Sequence, residues 1–159
     1  MATWGRFATE APQMAAAGRA LWEKHQVMYL ATVRADGSPR VHPVVPVLAG
    51  DAVFVAVGPW SPKWRDLRRD PRCVLHALPG ARDDEFLMRC RAHEVPGARE
   101  RVRAEAGHAI HADDHVFELA IEQVDHGWWE HVGQPTTYPI RRRWTPGDGV
   151  RELQVGRGG

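Results

Sequence analysis

Two cysteines in 159 residues are too few for a disulfide framework. Cys73 and Cys90 form no CxxC pair, which excludes a zinc ribbon or thioredoxin-type centre, and both read as buried packing residues. No apolar run reaches the length of a membrane span, and the opening "MATWGRFATEAPQM" lacks the hydrophobic stretch of a secretion signal. The expectation is a cytoplasmic protein with no membrane partner. An excess of one charge is missing too. With 21 Lys and Arg against 20 Asp and Glu, the formal net charge is +1, too balanced for a protein that coats nucleic acid. The chain has no G-x-G-x-x-G, no G-x-x-x-x-G-K-S/T, no G-x-S-x-G and no H-E-x-x-H, so four common catalytic and nucleotide-binding designs drop out.

What is present fits one domain, residues 1–159, with 43% hydrophobic residues to build a core. Residues 10–25 carry helix formers with Met14, Leu21 and Trp22 on one face, predicting an N-terminal helix. Residues 27–34, "VMYLATVR", predict a strand, and the Asp36-Gly37 turn after it predicts a hairpin. "RVHPVVPVLAG" and "AVFVAV" follow, apolar on both faces, which suggests a barrel wall or a subunit interface. Pro43 and Pro46 cannot donate to a ladder, so the first of these is expected at an edge or a bulge, with backbone groups left for a ligand. "RCVLHAL", "DEFLMRCRAHEV", "HVFELAIEQVDHGWWEHV" and "YPIRRRWTP" predict further strands, with a short charged helix over 97–107 and a flexible tail over 147–159. About seven strands with few helices make the fold class mostly antiparallel β with peripheral helices, not a doubly wound parallel sheet.

One segment contains a contradiction. In "GPWSPKWRDLRRDP" the Ser61-Pro62 pair predicts a helix start, with the serine hydroxyl as cap, and Pro71 predicts its end. The first turn of a helix favours carboxylates, yet here it carries Lys63, with Arg65 close behind. Trp60, Trp64 and Leu67 are spaced to turn one face to the core, which leaves Lys63 at the helix margin. Free N–H groups, a hydroxyl and an ammonium converge there, the physical essentials of a phosphate site; a lysine pointing into water is the plain alternative.

Here the chain resembles the pyridoxamine 5′-phosphate oxidase-like superfamily of flavin-binding split β-barrels, over about residues 18–146. The resemblance rests on "ATVRADGSPRVHPVVPV", "GDAVFVAV" and "SPKWRDLRRDPRCVLHAL". It implies that Ser61 and Lys63 hold a flavin phosphate and that Asp70-Pro71-Arg72 closes the helix in the family's turn. His42, which stands where many members have arginine, and Val44, Val45 and the Pro46 backbone are implied as flavin-ring contacts. Arg65 either assists at the phosphate or is a solvated arginine paired with Asp66 or a nearby glutamate. Trp129 is implied as the residue that reaches the cofactor of a second subunit, with Trp128 its rival, and Arg141 to Trp144 as the closing strand. The fold implied is a six-stranded antiparallel Greek-key split barrel that forms a homodimer with cofactor sites at the interface. Two departures stand out. The Arg-x-His that grips pyridoxamine phosphate is replaced by "PTTYP", and Pro62 replaces an arginine between Ser61 and Lys63.

Two functions follow from the resemblance. One is an oxidoreductase that uses FMN or a 5-deazaflavin coenzyme to move a hydride to or from a small organic molecule, without pyridoxamine phosphate as its substrate. The other is a non-catalytic module that stores, senses or carries flavin or haem, with His42 or His76 as axial ligand. Other clusters read more plainly. His108, His111 and His115 have the spacing H-x2-H-x3-H but no evident fourth ligand, so no metal site is expected. The carboxylates of "ARDDEF" read as a solvated turn, and the basic "IRRRW" as a strand rather than a nucleic-acid surface.

Overall fold

The computed structural model describes residues 1–81 and 83–154. Two helices come first, α1 (Trp4–Glu10) and α2 (Pro12–His25). The Thr3 hydroxyl caps α1 by accepting from the Arg6 N–H at 3.3 Å, and Pro12 opens α2, where a missing N–H has no partner to lose. Strands β1 (Met28–Val33), β2 (Pro39–Val44), β3 (Val47–Ala49) and β4 (Ala52–Val57) follow. Helix α3 (Pro62–Arg69) then leads to β5 (Arg72–Ala77) and β6 (Glu85–Glu94). A 3-10 turn (Pro96–Ala98) enters α4 (Arg99–Glu105), and β7 (His115–Glu130), β8 (Tyr138–Thr145) and β9 (Gly149–Leu153) complete the order. No described helix is long and apolar enough to cross a membrane.

All ladders are antiparallel and belong to one sheet, ordered β2-β1-β5-β6-β7-β4-β3, with β8 on β7 and β9 on β8. The class is mostly antiparallel β with peripheral helices. The described residues hold nine strands, however, against the six of the expected barrel. The run "RVHPVVPVLAG" breaks at Val45 and Pro46 into β2 and β3, because proline cannot continue a ladder. Part of the segment expected as a flexible tail forms β9: the glycines at 147 (φ 103°) and 149 (φ 68°) turn the chain back onto β8, and Thr145 Oγ1 donates to Asp148 Oδ2 at 2.8 Å across that turn. Residues 155–159 of the expected tail lie outside the described residues.

The sixteen-residue β7 organises the sheet. One edge pairs with β6, whereas the other is divided: β4 takes residues 115–118, Ala2 bridges to Ile121, and β8 takes 124–130. The core lies between the inner face and helices α1 and α2. Phe7 contacts Trp144 with ring centroids 5.0 Å apart, and Trp4 meets Trp22 edge-on at 5.8 Å. A smaller cluster, with Phe54, Val102 and Val116, seats α4 against β3 and β4. β4 is buried on both faces as expected, but β2 is not: Pro39, Val41 and Pro43 are exposed while Val44 is buried. As expected, Cys73 and Cys90 are buried, and they face each other across β5 and β6. Burial pushes the Cys73 thiol up to about 12 and that of Cys90 well above the ordinary range.

Candidate functional site

Helix α3 follows the predicted limits, with Pro62 at its first turn and Asp70 closing it before Pro71. Asp70 binds the Arg72 backbone N–H at 3.1 Å and its guanidinium at 2.6 Å, and that guanidinium, foremost, lowers the Asp70 carboxyl to about 2. Two expectations fail here. The Ser61 hydroxyl makes no capping hydrogen bond; the Trp64 N–H donates to the Ser61 carbonyl oxygen instead, at 3.1 Å. Trp60 does not face the core but is 70% exposed, because it precedes the helix and the helical spacing does not apply to it. Its ring lies over Gly58, where an added Cβ would meet it at 2.6 Å.

Asp66 bolts α3 to the sheet. Its Oδ2 accepts from Arg40 Nε at 2.7 Å and from Thr32 Oγ1 at 3.0 Å, and its Oδ1 lies 3.4 Å from Arg69 Nη2. Thr32 and Arg40 are register partners on β1 and β2, so one carboxylate, only 3% exposed, ties both strands to the helix. Burial pushes the Asp66 carboxyl upward, but the hydrogen bonds from Arg40 and Thr32 outweigh it and the net shift is downward. Arg65 is exposed, as the expectation of a solvated arginine has it, but Arg40 and Arg69 rather than Arg65 pair with Asp66.

A cleft of about 400 Å³ opens where α3 begins. The end of β2 contributes Pro43, Val44 and the adjoining Val45; the end of β4 contributes Ala56, Val57 and the adjoining Gly58. Residues 60–63 form the helix side, with Ser61 and Lys63 at the opening turn, and His108 stands on the rim. Lys63 is half-buried, and among the described residues no carboxylate forms an ion pair with it. Burial, and then the nearby Arg40 charge, lower its pKa. An ammonium held in this way, beside a helix start with no acidic residue in its first turn, makes the cleft attractive to an anion.

The structure thus brings Ser61, Lys63, Val44 and Val45 together. His42 lies one step along β2, half-buried, within reach of the Lys63 and Arg40 charges. Pro46 belongs to an adjoining cleft of about 390 Å³ with Trp22, Leu48 and Glu105, and the two clefts share Val45 and His108. Arg65 lines neither. Trp129 sits on β7 opposite Pro139, while the other end of that strand, at His115, pairs with Val57 beside the cleft. Trp129 lines neither cleft. Trp128 donates from Nε1 to Glu130 at 2.7 Å and lies under the Arg142 guanidinium.

The three spaced histidines go separate ways. His115 stacks on Trp64 and places Nδ1 2.6 Å from Glu94, the His111 N–H donates to Asp114, and His108 rims the cleft. His76 places Nδ1 2.6 Å from the Ala77 carbonyl oxygen. In the loop before β6, Asp83 is exposed with φ 58°, and Glu85, which opens β6, pairs with Arg141. Sequence reasoning missed Arg40, Asp66 and the place of His108. An acid between Trp64 and Leu67, on the side of α3 that packs against the sheet, was the available signal for Asp66.

The sequence model of the family described as pyridoxamine 5′-phosphate oxidase matches residues 14–127. No curated protein matches the chain in sequence. Among solved structures, the haem binding protein from Mycobacterium smegmatis is similar at 21% identity and a TM-score of 0.60, over 80% of this chain and 57% of that one. PhzG from Burkholderia lata 383, solved with tetrahydrophenazine-1-carboxylic acid, shares 14% identity at a TM-score of 0.63, over 96% of this chain and 92% of that one. A pyridoxamine 5′-phosphate oxidase-related, FMN binding protein from Nostoc punctiforme PCC 73102 also gives 14% and 0.63, over 88% and 96%. At these identities the likeness is one of fold.

Proposed function

Because the chain belongs to the pyridoxamine 5′-phosphate oxidase family, we propose that the cleft at the start of α3 holds the phosphate of a flavin-type cofactor, FMN or a 5-deazaflavin coenzyme. On this reading the protein is an oxidoreductase that moves a hydride to or from a small organic molecule. The observation that carries it is Lys63, an ammonium drawn into a half-buried position with no carboxylate to balance it. A phosphate supplies the missing charge. The residues present fit such a group: a cation, an uncommitted Ser61 hydroxyl, a helix start, and a cleft within the ~300–1,000 Å³ range of small-molecule sites. When bound, the cofactor supplies the hydride chemistry. The chain's part is to hold it: Lys63 neutralises the phosphate, Ser61 donates to it, and the backbone from Val44 to Pro46, at and just past the end of the β2 ladder, faces the ring edge.

A homodimer completes the proposal. Tyr29 and Val41 are 43% and 58% exposed on one side of the β1–β2 hairpin, an apolar surface that suits a second copy. Trp129, which lines neither cleft of its own chain, is then free to approach the partner's. Pyridoxamine phosphate is not the proposed substrate, since "PTTYP" offers no guanidinium and imidazole to grip it.

One observation favours a second reading, haem carriage. With its Nδ1 proton donated to the Ala77 carbonyl oxygen, His76 keeps the Nε2 lone pair for a metal, the usual arrangement of a ligating histidine. Titration of the protein with FMN, the 5-deazaflavin coenzyme and haem, each with Lys63→Ala alongside, separates the two. A flavin-type ligand should bind, and the variant should lose about 1.5–3 kcal/mol of its affinity, the scale of hydrogen bonds to charged groups. Haem binding that ignores Lys63 and disappears in His76→Ala would replace the first reading with the second.

A further inference from the structure

The cleft that adjoins the phosphate cleft is built with the opposite polarity. Its floor is apolar: Trp22, Pro46 and Val47 are buried and Leu48 is half-buried. At about 390 Å³ it falls within the ~300–1,000 Å³ range of small-molecule sites. Where the phosphate cleft receives the N-terminus of α3, this one receives the C-terminal ends of two helices. Glu23 and Gln26 come from the last turn and cap of α2, and Glu105 and Gly107 from the end of α4. Carbonyl groups at such ends lack helical partners and carry partial negative charge. Only one of them, at Glu23, is engaged by the Gln26 side chain, at 2.9 Å. Lys24 and His25, the basic residues of that turn of α2, do not line the cleft. The lining side chains have the same sign. Arg19 is the one Lys or Arg among them, and it is committed twice: its Nε donates to Glu23 Oε1 at 2.6 Å, and its guanidinium lies over the Trp22 ring at 5.2 Å. Glu105 forms no ion pair among the described residues, since Arg103 of the same helix pairs with Glu100. One cleft thus holds an unbalanced ammonium and the other an unbalanced carboxylate, with Val45 and His108 on the seam.

We propose that this adjoining cleft is a second ligand site, for a small, mainly apolar organic molecule that is neutral or carries one positive charge, and that it disfavours carboxylates and phosphates. As a binding site it stands on this cleft alone. As the place of the hydride partner it rests on the cofactor reading: with phosphate at Lys63 and the ring edge at Val44 to Pro46, the Val45–Pro46 segment is a wall common to both ligands, which puts them side by side. Both glutamates are exposed, so solvent screening keeps the selectivity modest, about two- to fivefold in affinity per charge.

Three probes of one shape test it by equilibrium dialysis against the full chain at neutral pH, with and without FMN: 1-naphthylmethylamine as the cation, 1-naphthalenemethanol as the neutral form and 1-naphthoate as the anion. The amine should bind at about millimolar concentration, about two- to fivefold tighter than the alcohol, and the alcohol should exceed the acid by a similar factor. Glu105→Gln should remove the advantage of the amine and keep the alcohol. Gly107 lines this cleft and not the other, its φ is not left-handed, and an added Cβ meets no atom within 4 Å. Gly107→Trp should therefore fold, as circular dichroism and Tm will show, and lose all three probes. Naphthoate binding as tightly as the amine, no binding of any probe, or equal binding to folded Gly107→Trp would overturn the proposal. Displacement of the probes by FMN would overturn it too, because the cleft would then hold the cofactor itself. Probes that bind in the expected order to a protein that binds no FMN would overturn the cofactor reading and leave this site standing.

Discussion

Replacing Asp66 by alanine removes the acceptor that joins α3 to β1 and β2, and the structure sets the size of the loss. Breaking a buried ion pair by deleting one partner costs about 3–5 kcal/mol, because the other charge stays behind uncompensated. Here the stranded group is Arg40, whose side chain keeps 22% exposure and recovers part of its hydration, which argues for the lower end. Thr32, 2% exposed, also loses its acceptor, worth about 1 kcal/mol. The expected loss is therefore ~3 kcal/mol, a large part of the ~5–15 kcal/mol that holds a domain together. Urea unfolding followed by tryptophan fluorescence measures it; with a slope of about 1–3 kcal/mol per molar, the midpoint falls by ~1–3 M. Arg40→Met combined with Asp66→Ala should recover stability relative to Asp66→Ala alone, since the orphaned charge is gone. The pH dependence has a definite sign. The folded carboxyl titrates below its unfolded value, so its contribution is complete above about pH 4 and is lost as pH falls through the folded pKa. The gap between wild type and Asp66→Ala stays constant from about pH 5 to 8 and narrows in acid. A loss under ~1 kcal/mol at neutral pH, or a gap that widens in acid, would refute the anchoring role.

One further substitution and one reagent probe the packing. Gly18→Ala puts a Cβ 2.3 Å from the ring of Phe86, which is fully buried, so overpacking should cost about 1–3 kcal/mol and lower Tm by several degrees; an unchanged Tm would mean that α2 does not lie against β6 this closely. Cys73 and Cys90, 6% and 2% exposed with raised thiol pKa values, should resist iodoacetamide at about pH 8 in the native protein and react fully in urea; fast native labelling would contradict their burial.

Local chemistry made much of this legible in the sequence. Gly37 takes φ 83° in the turn after β1 and Gly50 takes φ 63° before β4, the positions that Asp-Gly and Gly-Asp pairs announce. The limits of α3 follow from Pro62 and Pro71. What stayed hidden depends on partners remote in the chain. Helix α1 has seven residues, too few for a periodic signal, and is held by Trp4 and Phe7 packing on Phe86 and Trp144. Strand β9 exists because β8 offers it a ladder. At the site, the sequence puts Arg65 beside Asp66, whereas the fold supplies Arg40 from 26 residues away. Likewise a metal-like spacing joined His108 to His111 and His115, and the turn into β7 separates them.

The position of the cleft follows from the topology. β2 and β3 end the strand path at opposite extremes, yet only Val45 and Pro46 lie between them in the chain. One bent run thus serves both ends, and at the bend the backbone belongs to neither ladder. Helix α3 links β4, the neighbour of β3, to β5, the neighbour of β1, so its first turn leaves from the end of β4 and its body packs on β1 and β6. Its first turn meets the ends of β2 and β4 for this reason, and they are the walls of the cleft. A lysine in that turn opposes the helix dipole by about 0.3–1 kcal/mol. The Asp66 anchor, at ~3 kcal/mol, is several times larger and holds the helix in place regardless. Folding therefore tolerates Lys63 without requiring it, which accords with the proposed role of its charge in binding at the cleft.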